Sequence, residues 1–188
     1  MPTRVRRPDL LVDTSVAVAL VVADHEHHDA IMAALDGRQL GLAGHAAFET
    51  FSVLTRLPPP NRRPPAIVAR LISANFPATR LLSADGAGAL IDRLRDGEIA
   101  GGAVYDALVG AAAREHGLVL ATSDRRALDT YRILGVESGD PAVGESASPR
   151  PAATRTMFCR CAWRLPQSHR TRVPPGGPVV LIPSSSGR

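Results

Sequence analysis

The sequence predicts an α/β fold of three layers, with helices on both sides of a short central parallel sheet. Three observations predict it. Short apolar runs alternate with helical stretches over residues 1–137, the pattern of a parallel sheet covered by helices. The runs are apolar throughout, as strands buried on both faces are. Two of them lead to an acid, at Asp13 and Asp124, where ligands of open parallel sheets bind.

The elements follow in chain order. Residues 9–13, Asp-Leu-Leu-Val-Asp, read as a buried strand with an acid at its tip. Residues 15–22 read as a helix. Asp24 is a suitable N-cap for a second helix through Leu35, which Gly37 ends. A short strand follows over 39–43. An amphipathic helix over 45–56 then stops before Pro58, Pro59 and Pro60. Residues 64–75 form a helix with prolines in its first turn, where they are tolerated. A strand candidate covers 80–82, and a helix covers 84–95. Residues 103–116 form an Ala-rich helix closed by Gly117. Residues 118–121 are a second buried strand and 125–134 a last helix.

The composition changes after Glu137. Half of the 16 prolines fall in residues 138–188, which breaks helical and strand periodicity there. The expected organisation is one folded domain, 1–137, followed by a Pro/Ser/Arg-rich tail, 138–188, that reads as mostly disordered. Cys159 and Cys161 lie in this tail, at a spacing poor for a disulfide and at most half of a zinc site. Its arginines and Trp163 make a basic arm for RNA one reading, and a segment with no selected function another.

The charge divides at the same place. All 22 basic residues are arginine, and the net charge is +4. Residues 1–137 carry 15 Arg against 16 acids, whereas residues 138–188 carry 7 against 2. A basic total would point to nucleic acid, but the folded part does not supply it. No apolar run approaches the ~18 residues that span a bilayer. Asp13 also interrupts the first apolar stretch too early for a secretory signal. A cytoplasmic protein without membrane attachment is the expectation.

Four acids sit where charge is awkward. Asp13 ends the first strand, and Asp124 follows the strand at 118–121 after Thr122-Ser123. Asp106 lies in Tyr105-Asp106-Ala107-Leu108, near the start of the Ala-rich helix, and Glu49 in Ala47-Phe48-Glu49-Thr50. Each has a plain alternative. Asp13 and Asp124 suit helix N-caps, Asp106 suits a helix macrodipole, and Glu49 suits an ordinary partly exposed helix position. Together they are harder to dismiss, because two are at strand ends and two in apolar stretches.

Leu11-Val12-Asp13-Thr14-Ser15, Glu49 in an early helix, Tyr105-Asp106-Ala107-Leu108 and Thr122-Ser123-Asp124-Arg125-Arg126 resemble the motif series of PIN-domain ribonucleases. More narrowly they resemble the VapC-type toxins of bacterial type II toxin–antitoxin systems. The similarity covers about residues 8–137. The family's chain normally stops soon after the position of Leu134-Gly135-Val136, so the 51-residue extension departs from the pattern. The resemblance implies RNA as substrate, cleavage leaving a 5′-phosphate, a homodimer, and a cognate antitoxin that blocks the enzyme. Helices over 46–57 and 67–72 would offer the antitoxin a groove, or simply pack into the core.

Clustered carboxylates repel, and a shared cleft needs a cation. All-oxygen ligation selects a hard ion, Mg²⁺ or Mn²⁺. The expected chemistry is metal-assisted hydrolysis of an RNA phosphodiester. Asp13 and Asp106 are the expected direct ligands, with Asp124 completing the set directly or through water. Glu49 would orient or deprotonate the attacking water. Thr14, Ser15 and Ser123 would hold these carboxylates as hydrogen-bond donors, or serve as helix caps. Arg56, Arg62, Arg63, Arg125 and Arg126 are candidates to meet phosphate. His25, His27 and His28 read as a solvated helix start rather than a metal cluster.

Two other classes compete. A catalytically silent PIN-like module that binds RNA or protein would not need all four acids. A haloacid-dehalogenase-like hydrolase also opens with a strand-end Asp. It usually carries a second Asp two residues on, where this chain has Ser15, and uses a lysine, which this chain lacks.

Overall fold

Four parallel strands set the frame of the structure, a computed structural model that describes residues 10–142. They are β1 (Leu10–Val12), β2 (Leu40–Leu42), β3 (Leu120–Ala121) and β4 (Ser138–Gly139), ordered β2-β1-β3-β4. The helices are α1 (Thr14–Val21), α2 (His28–Leu35), α3 (Ala46–Arg56), α4 (Pro65–Asn75), α5 (Ala84–Asp96), α6 (Ala103–Glu115) and α7 (Leu128–Ile133). Helices α1 to α4 pack on one another, as do α5 to α7, and the sheet lies between. The predicted three-layer arrangement is present.

The apolar runs became strands because they are buried on both faces. Leu11, Val12, Leu42 and Leu120 have no exposed surface. Each such side chain stabilises the fold by ~1.5–3 kcal/mol. The register pairs Leu11 with Gly41 and with Leu120, and Ala121 with Val12 and Gly139. All four strands run the same way, so their carboxyl ends share one edge. No described helix is long and apolar enough to cross a membrane.

Some elements differ from expectation. Asp24 caps no helix, because α2 begins four residues later at His28. His28 is buried, with Nδ1 2.8 Å from the Ala19 carbonyl oxygen, so it docks α2 onto α1 instead of facing solvent. Residues 80–82 form no named strand, only an isolated parallel bridge from Ala43 to Arg80. The chain over 78–80 runs along the outer edge of β2, where Ala78 and Arg80 donate to the carbonyls of Leu40 and Leu42. Gly41 allows this approach, since a Cβ there would lie 2.2 Å from the Ala78 carbonyl oxygen. The last helix begins at Leu128, not Arg125, because Asp124 first heads a tight turn.

The fourth strand lies just past Glu137, where composition changes. Backbone bonds define it, from Leu120 N–H to the Glu137 carbonyl and from Thr122 N–H to the Gly139 carbonyl. With no apolar run it had no signature in the pattern. Cys159, Cys161, Trp163 and the rest of 143–188 lie outside the described residues.

Candidate active site

The parallel register brings three chain positions together. Continuing the pairs one residue past β1, β3 and β4 sets Asp13, Thr122 and Asp140 side by side at the carboxyl edge. Asp13 is both the N-cap of α1 and a member of this edge. Its Oδ1 accepts from Ser15 Oγ at 2.7 Å and from Val16 N–H at 3.1 Å, and its Oδ2 accepts from Thr122 Oγ1 at 2.6 Å. Burial raises its pKa above the ordinary carboxylate value, and the three donors oppose that rise. The nearby charge of Asp124 adds a smaller upward push.

Asp106 is placed differently. It is half-buried in the first turn of α6, with no hydrogen bond or ion pair among the described residues. Its pKa is raised chiefly by burial, then by the charges of Asp124, Glu49 and Asp13, with Arg126 opposing. Glu49, in the first turn of α3, is exposed and accepts from Thr14 Oγ1 at 2.7 Å. Asp124 pairs with Arg126, Nη2 to Oδ2 at 2.9 Å, and this bond is the main reason its pKa falls. The buried phenol of Tyr131 has its pKa pushed up by burial and then by all four acids. The four carboxylates therefore act on one region.

The sequence reading missed Thr122 and misjudged Ser123. Ser123 bonds no carboxylate of the four: its N–H donates to Ser15 Oγ at 2.9 Å and its hydroxyl to Asp140 Oδ1 at 3.3 Å. Thr122 donates to Asp13, and its hydroxyl oxygen accepts from Asp124 N–H at 3.0 Å. It thus ties the two strand-end acids together. The signal for Thr122 was its place beside Asp13 in the register, which needs the pairing to be known. Asp140 falls in the segment whose composition reads as tail.

The arginines divide. Arg126 is committed to Asp124, as is its backbone N–H, at 2.9 Å from Oδ1. Arg56, Arg62 and Arg63 each bond a nearby carbonyl, from Ser52, Leu57 and Pro60. Arg125 is exposed.

No three His, Cys, Asp or Glu side chains among the described residues form a closed metal-ligand set. The chemistry of the four acids nevertheless suits a hard divalent cation. Their donors are all carboxylate oxygens, Arg126 pairs with Asp124 alone, and Asp106 has no hydrogen-bond donor among the described residues.

Comparison with known proteins identifies the family. The PIN domain family matches residues 10–133. Ribonuclease VapC27 of Mycobacterium tuberculosis is 51% identical over 130 residues, 69% of this chain and 95% of that protein. Ribonuclease VapC40 of the same species is 47% identical over 129 residues, 66% of this chain and 93% of its own. Among solved structures, FitAB bound to IR36 DNA fragment superposes with a TM-score of 0.57 at 17% identity, over 74% of this chain and 99% of that one. VapC20 from M. tuberculosis, described as a sarcin-ricin loop cleaving toxin, gives a TM-score of 0.51 at 20% identity, over 64% and 93%. These two likenesses concern the fold. With its motif series, its parallel sheet and relatives at about half identity, the chain belongs to the PIN-domain family, among the VapC proteins.

Proposed function

We propose that this chain is the toxin of a type II toxin–antitoxin pair, a Mg²⁺- or Mn²⁺-dependent endoribonuclease that leaves 5′-phosphate ends. One observation carries the metal-dependent part. Asp106 is a partly desolvated carboxylate with no hydrogen bond or ion pair among the described residues, in the field of three further acids that the more distant attraction of Arg126 only partly offsets. That arrangement costs stability unless function requires it. The ribonuclease names of the VapC relatives support the substrate class.

In this reading Asp13 and Asp106 would hold the ion, and Asp124 would complete the site directly or through water. When bound, the cation would supply Lewis-acid stabilisation of charge on the phosphodiester and make water more acidic. Ser15, Val16 N–H and Thr122 fix the Asp13 carboxylate in one orientation while leaving acceptor capacity on Oδ2. Thr14 steadies Glu49, whose exposed carboxylate orients the attacking water or takes its proton. Arg126 keeps Asp124 ionised. An antitoxin and a second copy of the chain are the expected partners, and residues 138–188 are read as an appendage to the nuclease domain.

The test is cleavage of cellular RNA by the purified full chain, freed of antitoxin, with the new ends mapped. Cleavage that needs Mg²⁺ or Mn²⁺ and leaves 5′-phosphates, lost in Asp106→Asn with folding retained, is the expected result. A folded wild-type chain that cleaves no RNA with either ion contradicts the proposal and favours a silent binding module.

A further inference from the structure

We propose that His45, Phe48 and Tyr105 form a stacking platform for an unpaired nucleobase of the RNA strand, beside the acidic cluster. The inference rests on the ribonuclease reading and deepens it by naming a subsite.

The described residues hold five Phe and Tyr side chains. Phe76 and Tyr131 are buried, and Phe51 packs partly against the core. The remaining two are exposed, Phe48 at 64% and Tyr105 at 55%. Both are chain neighbours of a site acid: Phe48 precedes Glu49, and Tyr105 precedes Asp106. His45 joins them. Its ring stacks on Tyr105 with centroids 5.2 Å apart and planes 27° apart, and meets Phe48 at 6.3 Å and 39°. Leu81, Ile91, Val119 and Ile133, the exposed large aliphatic residues among those described, lie outside this ring cluster.

The backbone builds this cluster. Gly44, at φ +48°, turns the chain from β2 into α3 directly against α6. A Cβ at Gly44 would lie 2.9 Å from both the Ala112 Cβ and the Leu108 carbonyl oxygen. Only glycine lets the start of α3, with His45, sit this close to the helix that carries Tyr105.

The electrostatics say what such a surface is for. Without a bound cation, Asp13, Glu49, Asp106 and Asp124, of which only Asp124 is paired with an arginine, repel a phosphate chain. A strand held by the metal-free protein must gain affinity from contacts that do not depend on its charge. Base stacking on aromatic rings is such a contact, open to unpaired bases and worth ~1–3 kcal/mol per base. The stacked His45–Tyr105 pair offers a flat face for one more ring, with Phe48 tilted at its side.

The experiment uses the full chain in EDTA, so that bound RNA stays intact. A single-stranded oligoribonucleotide carries 2-aminopurine at successive positions, and quenching and affinity are read for wild type, Tyr105→Ala, Phe48→Ala and Tyr105→Phe. Melting curves confirm folding, which these exposed positions should leave unchanged. The expected result is quenching at one position, lost in Tyr105→Ala together with about tenfold in affinity at low and high salt. Tyr105→Phe should restore both, and binding of a fully paired duplex should be indifferent to the substitutions. Unchanged quenching and affinity in both alanine variants overturn the platform. So does a change in oligomer mass with RNA affinity unaltered, which would make the rings a protein contact. RNA cleavage by wild type is scored separately with Mg²⁺. Wild type that quenches through Tyr105 but never cleaves keeps the platform and removes the nuclease. Wild type that cleaves, with unchanged KM in the alanine variants, does the reverse.

Discussion

Asp13, buried, and Asp106, half-buried, are both acids with raised pKa, yet the fold treats them in opposite ways. Asp13 sits at a sheet edge and receives three donors, so its carboxylate is also a cap and a tie between β1 and β3. Asp106 sits on a helix, receives no hydrogen bond among the described residues, and faces three other acids. The sheet edge is wired in advance, and the helix side is left uncompensated. The difference separates two roles that one residue type can carry: Asp13 caps a helix and ties two strands, whereas Asp106 carries a charge that, in the proposed reading, a cation would compensate.

The largest expected effect is on hydrolysis, where the two acids should behave alike. Asp13→Asn and Asp106→Asn should each lower RNA cleavage by ~10²-fold or more, measured under single-turnover conditions. If one of them retains activity, its acid is not part of the reacting site.

Stability should then separate them. Asp13→Ala leaves Ser15, Thr122 and the Val16 N–H without their acceptor and removes a helix cap, at a cost of about 1–2 kcal/mol in denaturant unfolding. Asp106→Ala breaks no hydrogen bond and relieves repulsion, so it should unfold at the same denaturant concentration as wild type or a higher one. Equal destabilisation by both would erase the distinction.

The pH dependence of the metal-free chain sharpens it further. Both acids have folded pKa values above the ordinary 3.8, so the folded protein binds these protons more tightly than the unfolded chain. Their stabilising contribution is complete below 3.8 and is lost as pH rises through the folded values. Asp124, with a lowered pKa, contributes in the opposite sense, and its stabilisation is lost as pH falls through its folded value. In Asp106→Asn, melting followed from pH 4 to pH 7 should decline less than in wild type.

How much of this was legible depends on the kind of signal. Strands built from Leu11, Val12 and Leu120 announce themselves, because burial on both faces demands an apolar run. The four acids were found as charges in apolar surroundings, and that logic was weakest for Glu49, which is exposed. Thr122 escaped because a threonine after a strand is unremarkable until the register sets it beside Asp13. β4 and Asp140 escaped because Ser138-Gly139 pairs through its backbone and has no pattern to read. Asp24 was mistaken for a cap because a buried His28, bonded to the Ala19 carbonyl, decides where α2 begins.

The smallest effect is expected at Asp140, one hydrogen bond further from the acids proposed to react. It accepts from the Ser123 hydroxyl and from Ala142 N–H, while Ser123 in turn donates to Ser15. Asp140→Ala should lower kcat by less than about tenfold with KM unchanged, and Asp140→Asn, which keeps an acceptor, should recover most of it. A loss as large as that of Asp106→Asn would move Asp140 into the reacting group.

The most direct test is thermal melting of the full chain against Mn²⁺ or Mg²⁺ concentration, for wild type and Asp106→Asn. A cation that binds only the folded state raises the melting temperature with its concentration. Wild type should rise progressively. Asp106→Asn should start at or above wild type without metal and respond far less to it. Equal responses in the two proteins, or none in wild type, would contradict the claim that the uncompensated charge at Asp106 is there to receive a cation.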